Sequence, residues 1–414
     1  MTAEITPVQH CRLCDSADLD LALSLPPSPI GDAFVPPQER DVPQPEYPLD
    51  LRLCRDCGHV QLGHTLDPER LFREYLFETR TSLGLVEHFR RYRDHLLTRF
   101  PAAAGELVIE IGSNDGSLLK FFQESGLRVL GIDPARRPAE TAQSLGIPTL
   151  SEFFTSDLAA TIRQQHGTAK FVAANNVFAH AEALGNIATG VSRLLSPDGL
   201  FVFEVSYLLD IVEKLLFDTI YHEHLSYHAI KPLVRFLNAA GLELIDVERI
   251  ATKGGSIRCF AQRIGGPNPV APSVAWLLAL EAHAGLDLLA TFQAMGDRIN
   301  RIRDDVHHRL EQYLDANQTV VGYGASPTAT TLMYTFQLQH RLAYLVDDNP
   351  LKQGLLSPGV HLPVYPSPEL ADRRPALAII LAWNYAEPIL KRNERYLNEG
   401  GRFLIPMPAV RIIG

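Results

Sequence analysis

From Glu106 onward, apolar residues fall into short unbroken runs separated by turn formers and by stretches with helical spacing. The runs ELVIEIG, RVLGID, IPTL, KFVAANN and GLFVFEV predict five strands, with a helical stretch from Tyr207 to about Phe217 after the fifth. LELIDVERI and SIRCFAQRI follow and predict a pair of antiparallel strands. Strands alternating with helices predict a mostly parallel sheet covered on both faces. Residues 271–317 read as helices, and a second strand–helix series begins at TVVGYGAS and continues through LAYLVDDNP, ALAIILAW and GRFLIPMP. Ahead of all this, residues 1–78 are loop-rich and full of proline, and an amphipathic helix is expected over about 82–100. The expected units are 1–78, 79–270 and 271–414, the last two being Rossmann-like α/β domains.

Composition narrows this picture. A chain of 414 residues exceeds one ordinary hydrophobic core. Hydrophobic residues at 46% and charged residues at 21% are ordinary for globular proteins. A net charge of −10 argues against a nucleic-acid partner. No basic start leads into an apolar run, and no stretch of about 18 apolar residues suggests a membrane partner. A cytoplasmic protein, working as a monomer, is the expectation.

Four of the five cysteines form two C-x-x-C pairs, Cys11/Cys14 and Cys54/Cys57. Four thiolates in two close pairs can close a tetrahedral Zn²⁺ site, which supplies folding energy to a small module that lacks a core of its own. Four Cys ligands leave no open position, so the zinc is structural; His10, His59 and His64 are nearby alternative ligands. Cys259, in an apolar strand-like run, reads as a small buried residue.

Glu110, Gly112, Asn114, Asp115 and Gly116 form the turn IEIGSNDG between a strand and a helix. Glycines admit a ligand close to the backbone, and the helix start offers free N–H groups. An acid in the loop suits a ligand with a cationic amino-acid end better than a pyrophosphate. Asp133 ends the next strand, where it can accept bonds from ribose hydroxyls. Together these look like the nucleoside-binding loops of class I S-adenosylmethionine methyltransferases. Asn175, Asn176 and His180 lie at the end of the fourth strand, where open α/β sheets bind ligands. The segment DTIYHEHLSYHAI lacks the second His of a zinc protease. It does offer Tyr221, Glu223 and His224, suited to removing a proton beside a carbonyl. In the C-terminal series, GYGAS with Gly322 and Gly324, followed by Asp347 or Asp348, reads as a second nucleotide-type turn.

With these motifs in order, the chain resembles the deoxysugar C-methyltransferase family, including enzymes that methylate C-3 of TDP-linked 4-keto sugars. The resemblance runs nearly end to end, through both C-x-x-C pairs, IEIGSNDG, ANNVFAHA, YHEH, KGGSIR, GYGAS and DDNPLKQGLLSPGVHLPV. It implies S-adenosylmethionine and structural zinc as cofactors and a nucleotide-linked keto-sugar as substrate. It implies His224 as general base, with Tyr221 and Glu223 in the same motif and His180 as a second active-site histidine. Tyr75, Lys253, Tyr323 and Ser326 fall in segments expected to touch substrate. Three positions depart from the family pattern: Ser326-Pro327-Thr328 where a Lys-bearing loop is common, Lys253 where His is frequent, and Phe77 where a second Tyr is often seen. The competing readings are a nicotinamide-dependent oxidoreductase or epimerase, an O- or N-methyltransferase, and a non-catalytic scaffold.

Overall fold

The computed structural model describes residues 5–67, 78–81 and 83–414. Tyr75 and Phe77 lie outside the described residues. The N-terminal module contains β1 (Ile5–Pro7), β2 (Leu19–Ser28), β3 (Tyr47–Cys54), β4 (Val60–Leu62) and β5 (His64–Leu66). β2, β3 and β4 form an antiparallel meander, and β1 pairs with β5. β3 alternates as a half-buried strand should, with Tyr47, Leu49, Leu51 and Leu53 inward.

The middle of the chain contains β6 (Leu107–Ile111), β7 (Arg128–Ile132), β8 (Thr149–Leu150), β9 (Ala169–Asn175), β10 (Leu195–Ser206), β11 (Ser226–Tyr227), β12 (Leu242–Ile250) and β13 (Ser256–Arg263). All but β11 form one sheet in the order β12-β13-β10-β9-β6-β7-β8. β10 through β8 are parallel, whereas β12 and β13 run antiparallel, as their sequences suggest. All five residues of β6 are buried, which is why its sequence is a run rather than an alternation. Cys259, at 0% exposure, is a core residue of β13.

The associated helices are α1 (Leu83–Arg99), α2 (Ser117–Glu124), α3 (Arg136–Ser144), α4 (Ser156–His166), α5 (Leu184–Leu194), α6 (Leu208–Lys214) and α7 (Ile230–Ala239). α6 is shorter than its sequence suggests. Leu215 adopts a left-handed φ of 58°, and a 3-10 turn over Phe217–Thr219 follows. Leu215, Leu216 and Phe217 are all buried in succession, which one amphipathic helix face cannot achieve.

Two helices, α8 (Pro272–Ala284) and α9 (Leu289–Asp315), lead into the last unit. α9 packs along β2, burying Phe292, Met295, Ile299, Val306, Leu310 and Tyr313. The C-terminal sheet comprises β14 (Val320–Tyr323), β15 (Leu345–Asp347), β16 (Val364–Pro366), β17 (Leu377–Ile380), β18 (Phe403–Ile405) and β19 (Arg411–Ile413). Its order is β16-β15-β14-β17-β18-β19, parallel except for β19. The helices here are α10 (Pro327–Thr335), α11 (Glu369–Arg373), α12 (Ala386–Arg392) and α13 (Glu394–Asn398).

Two connections tie the units together. β11 leaves the central sheet and adds to β4, pairing Ser226 with Gln61 and Tyr227 with Val60. The proline-rich excursion between the Cys pairs reaches the C-terminal unit, where Val35 and Leu356 exchange backbone hydrogen bonds at 3.1 and 2.8 Å. Gly31 lies so close to Pro327 that an added Cβ would stand 2.8 Å from its Cα. Among the described residues no single helix is long and apolar enough to cross a membrane.

Candidate active site

The metal module comes first in the chain. One sulfur from each of Cys11, Cys14, Cys54 and Cys57 lies within 4.8 Å of all the others, and Cys11–Cys57 and Cys14–Cys54 are 3.6 Å apart. Zn–S bonds of about 2.3 Å in a tetrahedron put sulfurs about 3.8 Å apart, so these four fit a Zn²⁺ ion. The neighbouring histidines turn elsewhere. His10 Nδ1 bonds Asp15 O at 3.0 Å, and the fully buried His59 meets Ser226 Oγ at 3.3 Å. His64 is not among the residues clustered for a metal.

In the central sheet the strand order reverses between β6 and β9, and the crevice lies beyond their C-terminal ends. Gly112 and Gly116 take φ of 68° and 75°, and Asn114 takes 49°. A Cβ on Gly112 would stand 2.3 Å from Val177 Cγ2, so only glycine fits between the two strand ends. Asp133 accepts from Asn114 N through Oδ2 and from Ala135 N through Oδ1, both at 2.8 Å. Each oxygen keeps lone pairs for a ribose hydroxyl.

Burial pushes the Glu110 carboxyl well above its usual range. Asn175 is near enough to temper that rise, yet Glu110 Oε2 and both amide atoms of Asn175 make no hydrogen bond of ordinary geometry. Buried polar groups left open at the crevice fit a polar nucleoside ligand. Asp115 makes bonds that the sequence does not announce. Its carboxylate, 1% exposed, accepts from Ser117 N and Oγ and from Arg80 N, and Asn114 Oδ1 accepts from Thr79 N. These two side chains fasten the 3-10 turn Thr79–Thr81 over the loop, so Asp115 also anchors backbone. Asn176, with φ of 58°, contributes its backbone N–H to Glu204 O at 2.8 Å.

The chain passes from this crevice directly to the histidines. His180 N donates to Val177 O at 2.9 Å, which places His180 one turn beyond the residue packed on Gly112. The His180 and His224 rings meet edge-on, with centroids 4.8 Å apart. His224 Nδ1 lies 2.7 Å from Thr219 O, so that nitrogen carries the proton and Nε2 presents a lone pair. Tyr221 Oη donates to that Nε2 at 2.9 Å. His180 is oriented the same way, Nδ1 donating to Glu223 O at 2.8 Å.

Burial drives His224 well below 6.5, with His180 and Lys253 adding to the shift, and lowers His180 to about 4. Both are neutral at physiological pH. Burial raises Glu223 to about 7, with Asp32 raising it and Lys352 and Lys253 opposing. Lys253 reaches solvent, and desolvation by the protein around it lowers its pKa. Its φ of 53° is strained for a lysine, just ahead of the Gly254-Gly255 turn.

The C-terminal unit repeats the acid device of the central one. Asp347 accepts from Ala325 N at 2.6 Å and from Asn349 N at 2.7 Å, as Asp133 does from Asn114 and Ala135. Ser326 caps α10 through its hydroxyl and bonds Thr328 Oγ1. Tyr323 is not brought to the cleft. It is 3% exposed against Phe403, with its hydroxyl donating to Asp348 Oδ2 at 3.1 Å, because this position of β14 faces the second core of the unit.

Several functional neighbours were not legible as such. Asp218 accepts from Trp383 Nε1 at 2.8 Å, tying the turn that carries Thr219 to the C-terminal unit. Lys352 bonds Asp32 Oδ1 at 2.5 Å and Ala325 O at 2.7 Å, next to Glu223's field. Their only sequence signal is proximity to motifs already marked.

Three family models tile the chain: a zinc binding domain at residues 11–72, a methyltransferase domain at 85–247, and a C-methyltransferase C-terminal domain at 251–408. C-methyltransferase NovU from Streptomyces niveus is 33% identical over 410 residues, 99% of this chain and 98% of that protein. The chain belongs to the C-methyltransferase family. As a member it is an S-adenosylmethionine-dependent C-methyltransferase with a Cys₄ zinc module. Solved structures similar to part of the chain include magnesium protoporphyrin IX methyltransferase from Synechocystis PCC 6803 with bound SAH, at 20% identity, 44% of this chain, 84% of that one and a TM-score of 0.34. Another is a methyltransferase from Clostridium acetobutylicum ATCC 824, at 12% identity, 44% and 92% coverage and a TM-score of 0.36.

Proposed function

We propose that this C-methyltransferase methylates the carbon next to the ketone of a nucleotide-linked 4-keto deoxysugar, C-3 being favoured, by general-base enolisation. The observation that carries the reading is the proton-handling cluster: His224 with its Nδ1 proton fixed on Thr219 O and its Nε2 lone pair facing Tyr221, beside His180. Transfer to oxygen or nitrogen needs no such base for a C–H bond.

Glu110, the Gly112–Gly116 loop, Asp133, Asn175 and Asn176 would hold S-adenosylmethionine, which when bound supplies an electrophilic methyl group. His224 Nε2 removes the α-proton. Its arrival there releases the Tyr221 hydroxyl to turn toward the enolate oxygen, and Lys253 adds a positive field. The enolate carbon would then meet the methyl of the bound donor, whose C–S bond would break as the new C–C bond forms, with S-adenosylhomocysteine leaving. Lys253, Lys352 and Ser326 line the approach for the anionic nucleotide, and Asp347 is matched to a second ribose.

The reading is tested by incubating the protein with S-adenosylmethionine and a panel of nucleotide-linked 4-keto sugars, followed by mass spectrometry. The expected product gains one methylene, and solvent deuterium enters the α-carbon without methyl transfer when S-adenosylhomocysteine replaces the donor. A methylated product with no exchange at carbon, its new group on oxygen or nitrogen, would overturn it.

A further inference from the structure

The zinc knuckle and the two histidines meet at a side chain with no role in the scheme above. Arg12 stands between the ligands Cys11 and Cys14, and its guanidinium is directed into the protein. Nη1 donates to Leu62 O at 2.8 Å and to Leu225 O, the carbonyl just past His224, at 3.3 Å. Nη2 donates to Thr65 Oγ1 at 2.8 Å, and that hydroxyl reaches Glu182 Oε1 at 3.5 Å, two residues past His180.

The backbone makes the same connection. Leu62 N donates to Leu225 O at 2.9 Å, and Leu225 N and Ser226 N both donate to Ala179 O, at 2.7 and 3.1 Å. Leu225 O therefore accepts twice from the zinc module, while its own N–H holds the residue before His180. A planar fork with several donors can serve three acceptors at once, and an ammonium on a flexible stem cannot hold the same geometry.

We propose that Arg12 is a positioning residue: through it the metal-closed knuckle sets the register between the segments of His180 and His224, and so the packing of their imidazoles. Its consequence for turnover rests on the function proposed above; its consequence for the imidazoles does not.

The test uses the full, zinc-loaded chain with Arg12→Met, which keeps the stem and removes the donors, and with Arg12→Lys. Zinc content is measured by emission spectroscopy, and S-adenosylhomocysteine affinity by calorimetry. The reaction of each histidine with diethyl pyrocarbonate is followed by peptide mass spectrometry. In Arg12→Met, zinc and S-adenosylhomocysteine binding are retained while His180 and His224 react at least about tenfold faster, the scale of one charge-assisted hydrogen bond. His228, fully buried and held by Phe178 O, stays as slow as in the wild type, and Arg12→Lys is intermediate. Unchanged His180 and His224 rates, a rise shared by His228, or loss of zinc would each overturn the proposal. Turnover that stays normal while the imidazoles loosen would instead count against His224 as base and leave Arg12's hold on it standing.

Discussion

Gly112→Ala is the substitution for which the structure supplies a magnitude. The residue takes φ of 68°, and an added Cβ would lie 2.3 Å from Val177 Cγ2. The left-handed backbone costs a residue with a Cβ about 1–2 kcal/mol. Relieving the overlap costs about 1–3 kcal/mol more, as overpacking does elsewhere. Where the loop relaxes in the free protein, binding must restore its shape, and a cost of about 2 kcal/mol or more weakens the ligand by about 30-fold or more. Where it cannot relax, the same cost lowers Tm instead. Calorimetry with S-adenosylhomocysteine and a thermal melt read both. Adding Val177→Ala removes the clashing methyl and returns the steric share, leaving the backbone cost alone. Affinity within threefold of wild type together with an unchanged Tm would refute the close packing of the two strand ends.

Other expectations follow from the same geometry. His224→Ala should lower turnover by roughly 100- to 10,000-fold while leaving S-adenosylhomocysteine affinity intact; turnover near wild type would remove it as the base. The pH profile of kcat/KM separates two bases. With His224, held well below 6.5, activity persists into acid below that pH, whereas with Glu223, raised to about 7, it falls on acidification through neutrality. Asp218, raised from 3.8 to about 7 by burial, binds a proton in the folded state that the unfolded chain releases between those values. Its contribution to stability is therefore present below about 4 and lost as pH rises toward 7. Asp218→Asn keeps an acceptor for Trp383 and should raise Tm at pH 8 but not at pH 4; equal shifts at both would show that ionisation is not the cause. Removing zinc with a chelator should lower the Tm of the whole chain, because the module's sheet includes β11; a melt unaffected by metal would contradict that coupling.

What could be read in advance follows from what is local. β6, β9 and β10 announce themselves because strands buried on both faces must be apolar throughout, and the Cys pairs because four soft ligands have few other uses. His224 could be singled out, but not its state: the proton position depends on the carbonyl of Thr219, which carries no signature in a sequence. β16 and β19 have three residues each, too few for a period. Nothing in the sequence singles out Arg12, because its partners lie as far as 213 residues away. The pattern gives Asp115 its residue type and its place in the loop, but its hydrogen bonds to Arg80 N and Ser117 N arise only once the loop is folded.

The shared strand also orders events during synthesis. A chain emerging from its N-terminus can bind zinc and form β2, β3 and β4 early, but β4 then waits as an open edge, since its neighbour Ser226–Tyr227 lies more than 160 positions downstream. The imidazole pair is thus assembled late, when that edge is capped. A nascent protein stalled before residue 226 would present a strand with unpaired amides, the feature that chaperones and neighbouring chains most readily find.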